Sequence, residues 1–95
     1  MLESRIEALL VRKIKQAGGW ALKLVSPGNA GVPDRLVLLP GGRIFFVELK
    51  TEAGRLSPLQ VDVHRRLREL GMDVVTLYGR DQVLSFVEEV EEDGV

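Results

Sequence analysis

The chain has 95 residues, 13 basic and 14 acidic side chains, a formal net charge of −1 and no cysteine. This length supports a single hydrophobic core, and the lack of cysteine excludes a disulfide scaffold and a thiolate zinc site. No apolar run approaches the roughly 18 residues that a membrane span needs, and the charges within the first ten residues do not fit a secretory signal. We therefore expect a cytoplasmic protein with no membrane contact.

An amphipathic helix is predicted over residues 3–17. Ser4 and Glu7 have the spacing of a capping box, with Ser4 as the N-cap. Apolar residues then recur at helical spacing until Gly18 and Gly19, which end the pattern.

Three strands are predicted after this helix. The first covers residues 20–25, where we expect Trp20 to belong to the core. A loop rich in turn-forming residues spans 26–33. The apolar runs 36–39 and 44–47 then predict a β-hairpin, and because they hardly alternate, they predict central strands covered on both faces.

The length of the hairpin loop decides which side chains face each other across the two strands. A two-residue turn at 41–42 places Asp34 opposite Leu49, whereas a three-residue loop at 40–42 places Asp34 opposite Glu48. The second is favoured, because the proline can begin a type I turn and the last glycine can adopt the left-handed conformation. We predict an odd loop, or a bulge or bend near Asp34 with the same effect.

A second helix is predicted to begin at Ser57, since a proline follows at the first helical position and Gln60 completes a capping box. It ends at Gly71. A strand at 72–78 and a helix at 81–90 complete the order α-β-β-β-α-β-α. The helical crossover returns a parallel strand, so the fold class is α/β, with a mixed sheet flanked by helices.

The charge is distributed unevenly. We expect one domain at residues 1–90 and a disordered acidic tail at 91–95. Without the last five acidic residues, the rest of the chain has 13 basic and nine acidic side chains, a net of +4. The overall charge therefore does not exclude a nucleic-acid partner. The five acidic residues are Glu88, Glu89, Glu91, Glu92 and Asp93.

Charged residues gather where the hairpin strands end. Glu48 and Lys50 alternate with Leu49, so they share one face of their strand, and Asp34 begins the partner strand. Two carboxylates suit Mg²⁺ or Mn²⁺, and a neighbouring lysine can orient water or stabilise charge on a phosphate. A structural ion pair explains the same residues, so the residue pattern leaves both interpretations open.

Three motifs occur in a fixed order with short spacers: Gly31-Val32-Pro33-Asp34, Glu48-Leu49-Lys50 and Leu56-Ser57-Pro58-Leu59-Gln60. This set resembles the PD-(D/E)XK nuclease superfamily and is most similar to its VRR-NUC (virus-type replication-repair nuclease) family. The match covers most of the chain, and the predicted element order is that of the superfamily's core fold.

The resemblance implies roles for particular positions. Asp34 and Glu48 would be metal ligands together with the backbone carbonyl of Leu49, and Lys50 would be the catalytic lysine. Glu7 resembles the additional acidic ligand of many superfamily members. Its place in a capping box explains Glu7 equally well.

Several neighbouring residues are candidates for substrate contact. Gln60 matches the glutamine that the family places after the lysine motif, where it supports the site or contacts substrate, although it can also be only a cap partner. We interpret Ser57 as an N-cap and His64 as a surface or partly packed residue. Turn chemistry explains Asn29 as well as a phosphate contact does. The remaining candidate phosphate contacts are Lys23, Arg35, Arg55, Arg65 and Arg66.

These features predict an Mg²⁺- or Mn²⁺-dependent DNA endonuclease. A specific protein–DNA interface buries about 1,000–2,500 Å² of protein surface, which is a large area for so small a domain. A homodimer would double the available surface, and we expect it to form through the first or last helix. Stand-alone VRR-NUC proteins are similar to Holliday junction resolvases, so we expect branched DNA to be the substrate. The family resemblance also suggests a phage or bacterial source. The alternatives are a flap or nicking nuclease that needs a partner protein, a non-catalytic nucleic-acid-binding module, and a structural α/β subunit.

Overall fold

The computed structural model describes residues 1–94 and shows three helices and four strands in the predicted order. Among these residues, no helix combines the length and apolar character that a membrane crossing would need. In chain order the elements are α1 (Glu3–Gln16), β1 (Trp20–Lys23), β2 (Arg35–Leu39), β3 (Arg43–Lys50), α2 (Pro58–Glu69), β4 (Val74–Tyr78) and α3 (Gly79–Asp93).

The four strands form one mixed sheet in the order β1-β2-β3-β4. The first three are antiparallel, and β4 lies parallel to β3 after the α2 crossover. Leu39 pairs with Arg43 and Arg35 with Val47, so the hairpin has the predicted three-residue loop. Gly42 has the expected positive φ of 78°, and Gly41 also has one, of 83°. The α/β fold class is confirmed.

One face of the sheet, here called the closed face, carries the hydrophobic core. The helices α1 and α3 pack on it and against each other. Alternate strand residues point into this layer, among them Val37, Val47 and Leu49, which are fully buried. Ile6 and Leu10 of α1 are also fully buried. Their spacing of four residues places both on the inner side of the helix.

The other face, here called the open face, is covered only in part. The helix α2 packs on β4 and over the end of β3 and leaves much of the hairpin uncovered. Trp20 is 65% exposed and Ile44 is 47% exposed. The predictions that both hairpin strands are covered on both faces, and that Trp20 lies in the core, were therefore wrong. Apolar composition alone does not distinguish a covered strand face from an uncovered one.

Differences at the element ends are small except at the two termini. The residue preceding α1 is Leu2, and no side chain caps this helix, so the capping box predicted for Ser4 and Glu7 was wrong. At the other terminus α3 continues to Asp93, so residues 91–93 are helical where we expected a disordered tail. Val95, the last residue of that expected tail, lies outside the described residues.

Candidate active site

The hairpin register brings the first two predicted carboxylates together on the open face. Asp34 directly precedes β2, and the observed register continued by one residue places it opposite Glu48. Its Oδ2 atom accepts a hydrogen bond of 2.8 Å from the backbone N–H of Leu49. This bond fixes the Asp34 side chain against β3 beside Glu48. The three-residue loop is therefore what places the two carboxylates side by side.

A third carboxylate comes from the first turn of α1, where Glu3 lies. One carboxylate oxygen from each of Glu3, Asp34 and Glu48 lies within 4.8 Å of the other two. Glu3 is exposed, Asp34 half-buried and Glu48 buried. Sequence reasoning missed Glu3 and named Glu7, which stands one helical turn later on the same side of α1. The four-residue spacing of the two glutamates could have indicated Glu3 as the alternative ligand.

Glu7 lies elsewhere, in an ion-pair cluster that joins α1 to the first two strands. Its Oε2 atom accepts from Arg35 at 2.7 Å and from Lys23 at 3.0 Å. Partial burial raises the pKa of Glu7, but the hydrogen bonds from Lys23 and Arg35 outweigh it and leave the pKa below its usual value. Arg35 also donates to the backbone carbonyl of Ala21. Glu7 thus lies outside the carboxylate cluster. Lys23 and Arg35, two predicted phosphate contacts, form ion pairs with it instead.

Gln60 serves the helix cap and the candidate site at once. Its Oε1 atom accepts from the Ser57 backbone N–H at 2.9 Å, and its own backbone N–H donates to Ser57 Oγ at 3.1 Å. The side-chain amide nitrogen then donates to Glu48 Oε2 at 3.4 Å. The two interpretations of Gln60 are therefore compatible. Because the cap needs the amide oxygen, the amide nitrogen is the atom that faces Glu48.

Lys50 also approaches Glu48. Its ammonium nitrogen lies 3.9 Å from Glu48 Oε2, and its side chain is only 15% exposed. The predicted alternation is confirmed, since the side chain of Leu49 is buried in the core of the closed face. A charged lysine beside a buried carboxylate partly compensates the negative charge of the cluster.

The crowding of carboxylates changes the acidity of Glu48. Burial, and after it repulsion from the neighbouring Asp34 and hydrogen bonding with that residue, together raise the pKa of Glu48 from an ordinary value of 4.5 to about 8. Lys50 lowers the pKa of Glu48, but by less than burial and Asp34 raise it. Glu48 Oε1 is also buried and has no hydrogen-bond partner among residues 1–94. The described residues around the cluster therefore neither neutralise the carboxylates fully nor supply a hydrogen-bond donor to every carboxylate oxygen.

His64 lies on α2 directly behind this carboxylate. Its side chain is fully buried, so the interpretation of His64 as a surface or partly packed residue was wrong. Its Nε2 atom lies 3.8 Å from Glu48 Oε1. Helical spacing gave the signal, since His64 follows Gln60 by four residues and so lies on the same side of α2.

The remaining candidate phosphate contacts are spread around the site. Asn29 and Arg66 line one groove, of about 390 Å³, between the loop before β2 and α2. Asn29 also bonds Ser26 within its own turn, as turn chemistry predicted. Arg55 lines a separate groove beside Tyr78. Arg65 is held on the surface of α2 by ion pairs whose partners are Asp62 and Glu69.

Comparison with known proteins identifies the family. The family model described as the VRR-NUC domain matches residues 2–81. The chain belongs to the VRR-NUC family. A solved structure described as a VRR-NUC domain superimposes with a TM-score of 0.85 at 36% sequence identity, over 90% of this chain and 94% of that chain.

A relative with an assigned name agrees with this membership. The VRR-NUC chain is 48% identical over 79 residues to "Putative nuclease p44" of Acyrthosiphon pisum secondary endosymbiont phage 1, a match that covers 83% of the chain and 85% of the relative. The family and this relative support a nuclease, and membership of a nuclease family suggests the use of a divalent metal. In this VRR-NUC chain, the cluster of Glu3, Asp34 and Glu48 offers carboxylate oxygens that could bind such a metal.

Proposed function

We propose that this VRR-NUC protein is a metal-dependent DNA endonuclease whose active site is the open-face cluster of Glu3, Asp34, Glu48 and Lys50. The observation that carries the proposal is the convergence of three carboxylates within 4.8 Å of one another, with the Lys50 ammonium 3.9 Å from Glu48. A structural ion pair needs one carboxylate for one lysine. The excess of carboxylates supports a cation site instead.

The residues present fit a hard divalent cation. The donor set consists of carboxylate oxygens, which Mg²⁺ and Mn²⁺ prefer, and the buried Glu48 Oε1 atom has acceptor capacity that residues 1–94 do not use. Glu3, Asp34 and Glu48 would hold the ion, with the backbone carbonyl of Leu49 as a further candidate. Glu3 replaces Glu7 in this set. The ion would supply Lewis-acid stabilisation of the negative charge on the scissile phosphate.

The reaction would be hydrolysis, in which water adds to phosphorus and one P–O ester bond breaks. Lys50 would contribute its ammonium group, which can orient the attacking water and stabilise the extra negative charge that develops on the phosphate. Gln60 would hold the Glu48 carboxylate from one side, through the contact already present at 3.4 Å. Fixed groups of this kind need little rearrangement during the reaction, and that lowers the barrier.

Substrate would reach the cluster along the grooves beside α2. Asn29 and Arg66 in one groove and Arg55 in the other can contact phosphates without breaking an ion pair. Lys23 is 57% exposed and could exchange Glu7 for a phosphate. Arg35 and Arg65 are weaker candidates, because both already donate to protein groups. We further propose branched DNA as the preferred substrate, because a branch presents phosphates from several directions to a small surface.

The protein would act as a homodimer through the open part of the sheet. Trp20, Leu38 and Ile44 form a row across three strands at the end of the hairpin away from Glu48. Ile44 precedes Glu48 by four residues, or about 13 Å along the strand. The row contains no charged side chain, and a second copy would offer the same apolar surface to it. The first and last helices, the expected interface, use their apolar residues in the core instead.

A cleavage assay tests the enzymatic proposal. Purified protein is incubated with four-way junction, flap, duplex and single-stranded DNA in the presence of Mg²⁺, Mn²⁺ or EDTA. We expect cleavage with metal, none with EDTA, and the fastest cleavage on the junction. Asp34→Asn should remove cleavage and keep a wild-type circular dichroism spectrum. If the wild-type protein cleaves none of these substrates with either metal, the enzymatic proposal fails.

The dimer has a separate test. Light scattering coupled to gel filtration should give twice the mass of one chain, and Ile44→Glu should reduce it to that of one chain by burying a charge in the interface. Val61→Glu is the control, because Val61 is equally exposed but lies on α2. A wild-type protein that stays monomeric at all concentrations would contradict the proposed interface.

A further inference from the structure

Two neighbouring buried residues behind the carboxylate cluster carry three polar atoms without partners in the described part of the chain. They are Oε1 of Glu48 and both ring nitrogens of His64, and none of them has a hydrogen-bond partner among residues 1–94. Buried polar groups in proteins are nearly always hydrogen-bonded, so three such atoms together need an explanation. The closest approach is between His64 Nε2 and Glu48 Oε1, at 3.8 Å.

This separation is about 1 Å longer than an N–H···O hydrogen bond, so a small shift of the carboxylate would close it. A histidine ring that bears one N–H can carry it on either nitrogen. When Glu48 binds a cation its carboxylate is ionised, and an ionised carboxylate can only accept a hydrogen bond. The facing nitrogen must therefore carry the proton if the two groups are to bond.

Glu48 would then be held from two sides. Gln60 donates to Oε2 at 3.4 Å, and His64 faces Oε1. Both residues belong to α2, so one rigid helix would fix the plane of the carboxylate. A ligand fixed in this way loses less freedom when it binds a cation, and removal of such an outer partner typically lowers metal affinity 10–100-fold.

We propose that His64 is a positioning residue, whose Nε2–H donates to Glu48 Oε1 and orients that carboxylate for the divalent cation. The inference rests on the proposed function, because it assumes that Glu48 binds a metal. His64 does not contact substrate in this role. Its contribution is made through Glu48, and it is measurable without DNA.

Titration calorimetry with Mn²⁺ in the absence of DNA tests the role. His64→Phe, which fills the space and has no donor, should weaken Mn²⁺ binding at least about tenfold. His64→Gln retains an N–H donor at a similar reach and should bind within about threefold of wild type. Leu67→Ala is the matched control, since it weakens the packing of α2 and leaves Glu48 untouched, and it should bind Mn²⁺ normally.

Nuclear magnetic resonance gives a readout that does not depend on a variant folding. His64 is the only histidine of the chain, so its imidazole nitrogen signals need no assignment. In the Mg²⁺-loaded wild-type protein we expect the proton on Nε2, hydrogen-bonded and slow to exchange. Wild-type protein that binds no metal refutes the proposed function. If metal binds, then a proton on Nδ1, normal Mn²⁺ affinity in His64→Phe, or an equal loss in Leu67→Ala refutes the role of His64.

Discussion

The closed and open faces of the sheet differ in what their buried residues do. On the closed face Val37, Val47 and Leu49 are buried among the apolar side chains of α1 and α3. On the open face Glu48 and His64 are equally buried, but polar atoms of both residues have no hydrogen-bond partner within residues 1–94. Burial stabilises the fold on the closed face and costs free energy on the open one.

Glu48 and Leu49 show the contrast over a single step of the chain. Adjacent residues of β3 point to opposite faces, so one backbone serves the core and the candidate site together. Packing on the closed face fixes β3. The strand thereby holds the Glu48 carboxylate in a buried position that costs free energy. A polar site that weakens the fold locally is typical of catalytic sites.

The largest effect that would test this comparison is expected at Glu48 on the open face. Glu48→Gln removes the negative charge of a proposed metal ligand, and we expect cleavage to fall by about 1,000-fold, or ~4 kcal/mol of barrier. The melting temperature should not fall, because the carboxylate repulsion is lost with the charge. Gel-based cleavage rates and thermal melts of the same sample measure both effects. Glu89→Gln, on the exposed side of α3, should change neither.

The opposite result is expected on the closed face. Leu10→Ala leaves a cavity in the core and should lower the free energy of unfolding by about 3 kcal/mol. At 4–8 °C per kcal/mol, this corresponds to a drop of roughly 15 °C in melting temperature. Well below that temperature the cleavage rate per folded molecule should equal that of wild type. A Leu10→Ala protein that is stable but inactive would show that the two faces are not separable.

A smaller effect concerns pH in metal-free protein. The pKa of Glu48 is raised to about 8 by burial and by Asp34, so the folded protein holds a proton there that the unfolded chain releases near 4.5. Its contribution to stability is complete below pH 4.5 and is lost as the pH rises through 8. With EDTA present, wild type should lose several degrees of melting temperature between pH 5 and pH 8.5 relative to Glu48→Gln. Parallel curves for the two proteins would exclude the raised pKa.

The smallest effect separates two neighbouring arginines of α2. Arg66 lines the groove with Asn29, and among residues 1–94 it has no ion-pair partner, whereas Arg65 is held by Asp62 and Glu69. Arg66→Ala should weaken DNA binding severalfold and reduce the slope of log affinity against log salt by about one. Arg65→Ala should change the slope less. Equal slopes in the two variants would remove Arg66 from the proposed DNA surface.

The features that could be predicted from sequence are those that neighbouring residues encode. Proline and two glycines specified a three-residue loop, and this loop brought Asp34 opposite Glu48. Ser57 and Gln60 specified the start of α2, with both hydrogen bonds of the capping box present. In these cases the interacting groups are close in the chain, so composition and spacing suffice.

The features that were missed depend on how distant elements pack. Glu3 and Glu7 lie on the same side of α1, and only the position of the helix relative to the sheet places Glu3 near Asp34 and Glu7 near Arg35. His64 is buried because α2 lies over β3, and Trp20 is exposed because α2 does not reach β1. Helical spacing shows which residues share one side of a helix, but neither spacing nor hydrophobicity gives the distance from that side to another element.

The double use of Gln60 restricts which residues its position can accept. A capping box can be closed by glutamine or by glutamate, and the two are nearly equivalent for starting a helix. Here the second atom of the amide lies 3.4 Å from Glu48, where a glutamate would add a fourth carboxylate to a crowded cluster. Gln60→Glu would therefore leave the start of α2 intact but would place a further negative charge beside Glu48. At this position the candidate site therefore restricts the residue more tightly than the helix cap does.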